Sequence, residues 1–184
     1  MSRTAFKMLL ATATLACVLV AGCGLTQRAV DGGSTLAHGI FYKQVKVLHL
    51  DLNARAALNT QSTDMSSLSL STMVRVYQLK DRKSMDAADY QGLLNEGDSL
   101  LAGDLLDSQR LVVKPDEGAQ LNVPLSAEAQ YVAVVALFRS PDTENHTWRL
   151  LLARDELDPD LPRVIELGDN ALHLVPAPKK DSWW

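Results

Sequence analysis

A cysteine near the amino terminus is the residue most clearly placed for chemistry. The pattern Val20–Cys23 fits a lipobox, in which the last thiol is alkylated by a diacylglyceryl group before cleavage leaves that cysteine at the amino terminus. Upstream, Arg3 and Lys7 precede the apolar run Met8–Val20, which is the layout of a secretory signal. We predict that the first 22 residues are an export signal and that Cys23 carries lipid. The alternative is an ordinary cleavage site that happens to neighbour a cysteine.

Residues that would support catalysis or metal binding are scattered through the remaining sequence. The chain contains no G-x-S-x-G elbow, no phosphate-binding glycine loop and no H-E-x-x-H helix. The histidines are far apart, and the two in predicted strands fit structural roles better than metal ligation. The four histidines of the chain are His38, His49, His146 and His173. We predict that the chain is not an enzyme and needs no metal or cofactor apart from the covalent lipid on Cys23.

One acidic cluster is the strongest candidate for acid/base work. Paired carboxylates serve that purpose when burial separates their pKa values. This cluster lies among Leu157, Pro159 and Pro162, which is typical of a solvated turn, with a calcium site as the alternative. Its members are Asp155, Glu156, Asp158 and Asp160.

Charge and length restrict how the mature chain meets other molecules. The whole chain has a formal charge of −4, and the signal removes two cations and no anions, so the mature body is more acidic. This argues against nucleic acid and anionic lipid headgroups as partners. The apolar run in the signal is shorter than the roughly 20 residues of a spanning helix. Attachment is therefore expected through acyl chains, and Gly24, rather than an aspartate, favours the outer membrane with the domain facing the periplasm.

We predict four segments: a signal over 1–22, a lipidated tether over 23–39, one β-sandwich domain over 40–176 and a tail over 177–184. Gly32 and Gly33 interrupt the tether, which has no periodic pattern. Since Cys23 is its sole cysteine, the mature chain forms no internal disulfide. The tail contains Trp183 and Trp184, which either anchor an interface or bilayer boundary or fold back onto the domain.

Short runs rich in valine, leucine and aromatic residues predict a two-sheet antiparallel sandwich. The eight expected strands are Lys43–Leu52, Leu70–Leu79, Arg110–Lys114, Ala119–Leu125, Tyr131–Arg139, Thr147–Ala153, Arg163–Leu167 and Ala171–Val175. Pro124 places its strand at an edge or near a strand end, whereas Tyr131–Phe138 is apolar on both faces and fits a central strand. Ser84–Asn95 predicts one amphipathic helix, near 84–96. Its apolar face is expected to pack on the sheet.

The long polar connection Asn53–Ser69 joins the first two strands. Loops of this length within a compact domain are commonly functional, although a surface loop without a task is the alternative.

Several short motifs follow one another in a distinctive order along the chain. The most distinctive is Val74–Lys80 (VRVYQLK), followed by Ala88–Tyr90 in the predicted helix. The others are the lipobox, Phe41–Lys43, Leu48–Asp51, a turn with Pro115, Phe138-Arg139, Trp148-Arg149 and Arg154–Leu157. In this order they resemble the TssJ (SciN) family of outer-membrane lipoproteins of the type VI secretion system, and the resemblance covers essentially the whole chain.

This resemblance implies a transthyretin-like, mainly β sandwich with a short helical insertion. It also implies that the lipoprotein anchors the trans-envelope membrane complex by binding the periplasmic C-terminal domain of the inner-membrane protein TssM. In the family, the loop between the first two strands is implicated in that contact. The corresponding residues are Leu58, Asn59, Thr60, Gln61, Ser62, Thr63, Asp64, Met65 and Ser66, of which Leu58 and Met65 are the apolar candidates.

Two alternatives remain. One is a periplasm-facing lipoprotein whose transthyretin-like sandwich binds a small ligand or another envelope protein. The other is a hydrolase of envelope polymers that uses the acids of Asp155–Asp160. If the chain acts in secretion, we expect TssM and the outer membrane as its partners. We expect neither nucleic acid nor a small-molecule substrate.

Overall fold

The computed structural model describes residues 45–60 and 68–177. The predicted signal and tether, and nearly all of the predicted tail, lie outside these residues. The strands are β1 Val47–Ala54, β2 Thr72–Leu79, β3 Leu105–Val113, β4 Gly118–Pro124, β5 Tyr131–Leu137, β6 Arg149–Ala153, β7 Arg163–Gly168 and β8 Ala171–Leu174. The helices are α1 Lys83–Ala87 and α2 Tyr90–Leu100, and a 3₁₀ turn spans Arg154–Glu156.

The eight strands form two four-stranded sheets, which confirms the predicted sandwich. Sheet 1 has the order β4-β1-β7-β8 and sheet 2 the order β3-β2-β5-β6. Neighbouring strands are antiparallel except β1 and β7, which are parallel. The edge position predicted for β4 from Pro124 and the central position predicted for β5 are both confirmed.

Alternation along the strands places the core between the sheets. On β1, Leu48, Leu50 and Leu52 are buried, while His49 and Asp51 face the open side of sheet 1 and are half-exposed. β5 is buried continuously from Val132 to Ala136 because helices cover its outer face as well. These inner faces supply most of the apolar burial that stabilises the fold.

The prediction of β3 was five residues too short at its start, since the strand begins at Leu105. Its first half carries Asp107, Ser108 and Gln109, whose polar side chains hid the strand pattern. Asp107 is held by a hydrogen bond from the buried Gln78 amide, 3.3 Å from Nε2 to Oδ2. The hydrogen bond from Gln78 on β2 thus stabilises an aspartate, a residue type that is disfavoured in strands.

The predicted single helix is wrong, because the chain forms two helices separated at Ala88 and Asp89. Both residues have extended backbone, and the Asp89 carboxylate accepts the Gly92 amide at 2.9 Å, so it caps α2. The carbonyls of Met85 and Ala88, at the end of α1, accept hydrogen bonds from Arg149 Nη1 at 2.6 and 3.1 Å. A guanidinium from a distant strand therefore completes the end of the first helix.

The packing of helix α2 on sheet 2 is confirmed. Tyr90, Leu93 and Gly97 are buried against the sheet, whereas Leu94 stays 36% exposed. Gly97 lies so close to the Tyr77 hydroxyl that a Cβ there would collide with it. Only glycine permits this approach of the helix to β2.

Strand direction gives the sandwich two ends. At the tether end, β1 begins just after Val45, the first described residue, and β8 finishes. At the loop end, β1 finishes and β2 begins. The connections β3–β4, β5–β6 and β7–β8 also lie at the loop end, because their strands run in register with β1 and β2.

Candidate partner-binding end

The β1–β2 loop leaves and rejoins the domain through a closed base. Leu70 donates its amide to the carbonyl of Leu58 at 3.1 Å, and the Asn59 side chain donates Nδ2 to the carbonyl of Ser71 at 3.3 Å. These bonds hold the two ends of the loop next to each other. The segment between them, residues 61–67, lies outside the described residues.

Asn59 fixes the loop to the rest of the loop end. Its Oδ1 accepts the amide of Arg139, just beyond β5, at 2.7 Å, and the residue is only 4% exposed. Its backbone has φ of 52°, a conformation that asparagine tolerates better than most residues. A single buried side chain therefore links the start of the loop, its return and the end of β5.

The β7–β8 turn adds a second attachment. Asp169 and Asn170 both have positive φ, as in a type I′ hairpin turn. Asp169 donates its amide to Ala57 O at 3.0 Å, and Asn170 donates Nδ2 to Thr60 O at 2.8 Å. The chain entering the loop is thus held on two sides.

The structure places the predicted site residues in two groups. Leu58 is fully buried, so its interpretation as an apolar contact for a partner is corrected: it packs in the core beneath the loop because the closed base turns it inward. Asn59 is also buried, and Thr60 is half-buried. Gln61, Ser62, Thr63, Asp64, Met65 and Ser66 lie outside the described residues, and their contact with a partner stays a prediction.

Exposed apolar side chains flank the loop, and the sequence reasoning missed them. Leu68 is 63% and Leu70 42% exposed, on the returning arm of the loop. Met73 and Val112 are cross-strand neighbours on β2 and β3, exposed by 41% and 58%. Val112 follows the outward-facing Arg110 by two positions, and this alternation was the available signal. We call Leu68, Leu70, Met73 and Val112 the apolar rim.

At the tether end, Arg154 joins distant backbone segments. Arg154 Nη2 donates to Val45 O at 2.8 Å, and its Nη1 donates to Ser126 O and Ala129 O at 2.8 and 2.6 Å. The guanidinium therefore joins the start of the domain to the β4–β5 connection. Lys46 O also accepts the Leu125 amide at 2.8 Å.

The acidic cluster lies in an exposed turn at the tether end, as predicted. Glu156 accepts the Ala153 amide at 2.6 Å, and Asp158 accepts the Asp160 amide at 2.9 Å, so these carboxylates cap local backbone. Within residues 45–60 and 68–177, no three His, Cys, Asp or Glu side chains are arranged to hold a metal ion. In the same ranges, no helix has the length and apolar character needed to cross a bilayer.

Among the histidines, His49 Nδ1 lies 2.6 Å from Asn122 Oδ1, on neighbouring strands of sheet 1. His146 stacks edge-on to the buried Trp148, with ring centroids 6.2 Å apart. His173 is exposed on β8, and His38 lies outside the described residues. His49 and His146 therefore each contact a neighbouring side chain of the domain.

Comparison with protein families decides which family this sandwich represents. The sequence profile of the type VI secretion lipoproteins (VasD, EvfM, TssJ) matches residues 46–170. The chain belongs to the TssJ lipoprotein family. TssJ proteins are structural components of a membrane complex, and the match spans strands β1 to β7 and ends just before β8.

Solved structures agree with the TssJ assignment. A chain in the structure named "T6SS protein TssM C-terminal domain (869-1107) from EAEC" is 41% identical with a TM-score of 0.65, covering 72% of this chain and 100% of that one. A chain of the structure named "Type VI membrane complex" is 44% identical with a TM-score of 0.68 and the same coverage. The lipoprotein TssJ1 from Pseudomonas aeruginosa is 26% identical with a TM-score of 0.59, covering 72% and 98%. No curated protein sequence matches the chain significantly.

Proposed function

We propose that this TssJ lipoprotein anchors the type VI membrane complex to the outer membrane by binding the periplasmic C-terminal domain of TssM through its β1–β2 loop. Lipid on Cys23 supplies the membrane attachment, and the domain faces the periplasm. The activity is stoichiometric binding rather than catalysis, and it requires no cofactor beyond that lipid. The similarity to chains in structures named for the TssM C-terminal domain and for the membrane complex supports this partner.

The observation that carries the proposal is the placement of the two attachments at opposite ends of the domain. Val45, the first described residue, lies just before β1, and the loop leaves from the end of that strand. At about 3.3 Å per residue, the eight residues of β1 separate these points by roughly 26 Å. A partner bound at the loop end is thus held away from the point of membrane attachment.

This arrangement suits a protein that carries mechanical load. β1 connects the two attachments and is paired on both sides, with β4 and with β7. Tension between tether and loop is directed along β1, so it loads the hydrogen bonds of both neighbouring ladders together. A strand in this position resists extraction better than an edge strand, whose pairs lie on one side only.

The apolar rim and the loop together form the proposed contact surface. Interfaces concentrate their binding free energy in a few desolvated apolar side chains surrounded by polar ones. The predicted loop residues are mainly polar, whereas Leu70, Met73 and Val112 present apolar area beside the loop base. We expect the rim and the loop both to contribute affinity, and the loop to supply specificity as well.

The test measures binding of the lipid-free mature chain to a purified TssM periplasmic C-terminal fragment. Replacing residues 61–66 by a glycine-serine segment of equal length should weaken binding by at least about tenfold, a loss of about 1.4 kcal/mol. Glu128→Ala, an exposed substitution at the tether end, is the matched control and should leave the affinity unchanged.

An unaltered melting temperature in the loop variant must accompany its loss of affinity. If the loop variant binds the TssM fragment as tightly as the parent chain, the loop is not the contact. If the parent chain does not bind the fragment, the proposed partner is wrong.

A further inference from the structure

A groove at the tether end is not used by the proposed function. It lies on the outer face of sheet 2, beside the edge strand β6, and encloses about 420 Å³. Three of its lining residues, Tyr131, Leu151 and Ala153, lie on β5 and β6, and we call them the floor. The other three, Arg82, Asp155 and Glu156, come from the start of α1 and from the 3₁₀ turn, and we call them the wall. A floor with one aromatic ring and a rim of charges is suited to an apolar side chain carried on a charged segment.

The carboxyl-terminal segment leaves the domain next to this groove. β8 finishes at the tether end, and Val175 still donates its amide to Val164 O at 3.0 Å. β8 is the edge strand of sheet 1 on the side where it contacts β6, and Leu172 donates its amide to Thr147 O, just before β6, at 2.7 Å. The groove and the end of β8 therefore share one end and one side of the sandwich.

The length of the remaining chain is sufficient to reach the groove. Seven residues follow Ala177, and an extended chain covers at most about 3.3–3.6 Å per residue, so they reach roughly 23–25 Å. Passing from one sheet of a sandwich to the outer side of the other requires crossing a separation of about 10 Å between the sheets. The segment is therefore long enough to extend from the end of β8 to Leu151 and Ala153.

We propose that the groove beside β6 binds the segment Lys179–Trp184 of the same chain, with an indole of Trp183 or Trp184 on the floor. The tryptophans supply the apolar body, and Tyr131 offers an aromatic ring for edge or offset contact. Arg82 stands at the wall, where a guanidinium interacts favourably with an indole face. The occupant thus matches the floor by type of side chain.

In this orientation, charges of the segment are also complementary to charges of the groove. Lys179 and Lys180 precede the tryptophans, and the exposed carboxylate of Asp155 lies on the groove wall. The Glu156 carboxylate already accepts a hydrogen bond from the Ala153 amide. Asp155 is therefore the carboxylate to substitute when the charge interaction is tested. The Asp155 carboxylate attracts the two lysines and so orients the tryptophans, which follow after Asp181 and Ser182.

The test uses tryptophan fluorescence of the exported chain carrying Cys23→Ser, which retains domain and tail. The chain has three tryptophans, and Trp148 is 1% exposed, so a parallel chain with Trp183→Phe and Trp184→Phe supplies the background to subtract. With the tail bound, the tail indoles should emit at shorter wavelength and be quenched by acrylamide several-fold less than free tryptophan.

Two groove variants and one control locate the binding site. Leu151→Asp places a charge on the floor and should restore free-tryptophan quenching. Leu161→Asp, at a leucine 46% exposed outside the groove, should not. Asp155→Lys reverses the exposed wall charge without touching the core, and should also release the tail, more completely at low salt.

Three results overturn the proposal. In the first, the tail indoles of the parent chain are quenched as in free solution. In the second, they are protected but indifferent to both groove substitutions. In the third, they become protected only when vesicles of phosphatidylethanolamine and phosphatidylglycerol are added, which makes the bilayer surface their binding site. None of these measurements involves TssM, so they are independent of the proposed partner.

Discussion

At the loop end and at the tether end, Asn59 and Arg154 each join distant backbone segments, but with different chemistry. At the loop end, the Asn59 amide both donates and accepts, and joins three backbone segments. At the tether end, the Arg154 guanidinium only donates, and gathers carbonyls from Val45 and the β4–β5 connection. An amide holds a loop in one shape, whereas a charged fork binds a terminus more strongly. The difference fits the roles proposed for the two ends, partner binding at the loop end and membrane attachment beyond the tether end.

The largest effect is expected from removing the membrane attachment while leaving both ends intact. Cys23→Ser should leave a folded domain in the periplasm and abolish both membrane fractionation and secretion, because acyl chains are the proposed grip on the bilayer. Cys17→Ser, inside the predicted signal, is the matched control and should change neither. Normal secretion by the Cys23 variant would show that anchoring is not required.

Arg154→Ala should destabilise the tether end. We expect the free energy of unfolding to fall by about 2–4 kcal/mol, because several charge-assisted hydrogen bonds to carbonyls are lost together. Hydrogen exchange should accelerate at the Leu125 amide, which bonds to Lys46 O. The Arg139 amide at the loop end should keep its protection relative to global unfolding. Arg154→Lys should rescue only part of the loss, since one ammonium does not replace the planar fork.

Asn59→Ala should instead destabilise the loop end. The free energy of unfolding should fall by about 1–3 kcal/mol, and hydrogen exchange should accelerate at the Arg139 amide. Asn59→Gly removes the same hydrogen bonds but accepts positive φ, so it should be less destabilised than the alanine variant. If exchange at Leu125 and Arg139 changed equally in both the Arg154 and Asn59 variants, the two ends would not be independent.

The smallest effects are expected from acid titration. At the loop end, the Asn145 backbone amide and side chain hold the pKa of Asp142 below its ordinary value. Near the tether end, the Arg82 side chain does the same for the pKa of Asp86. Because both folded pKa values are depressed, the stabilisation is present above the unfolded pKa and is lost as pH falls through the folded pKa.

Carboxyl titration by NMR separates these two sites. Arg82→Ala should raise the pKa of Asp86 toward its ordinary value and leave Asp142 unchanged. Asn145→Ala should raise the pKa of Asp142 part of the way, because the backbone hydrogen bond remains. A shift at both sites in either variant would contradict the separation of the two ends.

Local sequence patterns predicted most of the fold, and each error of the prediction has an identifiable cause. All eight strands were predicted because their apolar residues alternate or cluster within a few positions. β3 was predicted short because Asp107 and its polar neighbours depend on β2. The helix was predicted as continuous because Ala88 and Asp89 fit helical spacing. Its break depends on Arg149, about sixty residues away, which binds the carbonyls at the end of α1.

The candidate site was predictable in position and less so in detail. The polar connection after β1 identified the loop, and the family assignment agrees with the resemblance of the short motifs. Spacing gave no indication that Leu58 turns inward, since the closure by Leu70 and the bond to Arg139 create that orientation. The apolar rim was missed because Met73 and Val112 become neighbours only through strand pairing.

The sequence by itself predicted lipid on Cys23, and it determined the succession of strands and the existence of a long polar loop, because each is encoded within a short window of residues. The tertiary structure alone decided that the start of β1 and the β1–β2 loop lie at opposite ends, and that Asn59 and Arg154 join distant segments there. The bonds responsible join residues 80 and 109 positions apart, and no local pattern specifies such pairs. They form only when packing of the two sheets brings distant carbonyls and amides within hydrogen-bond distance.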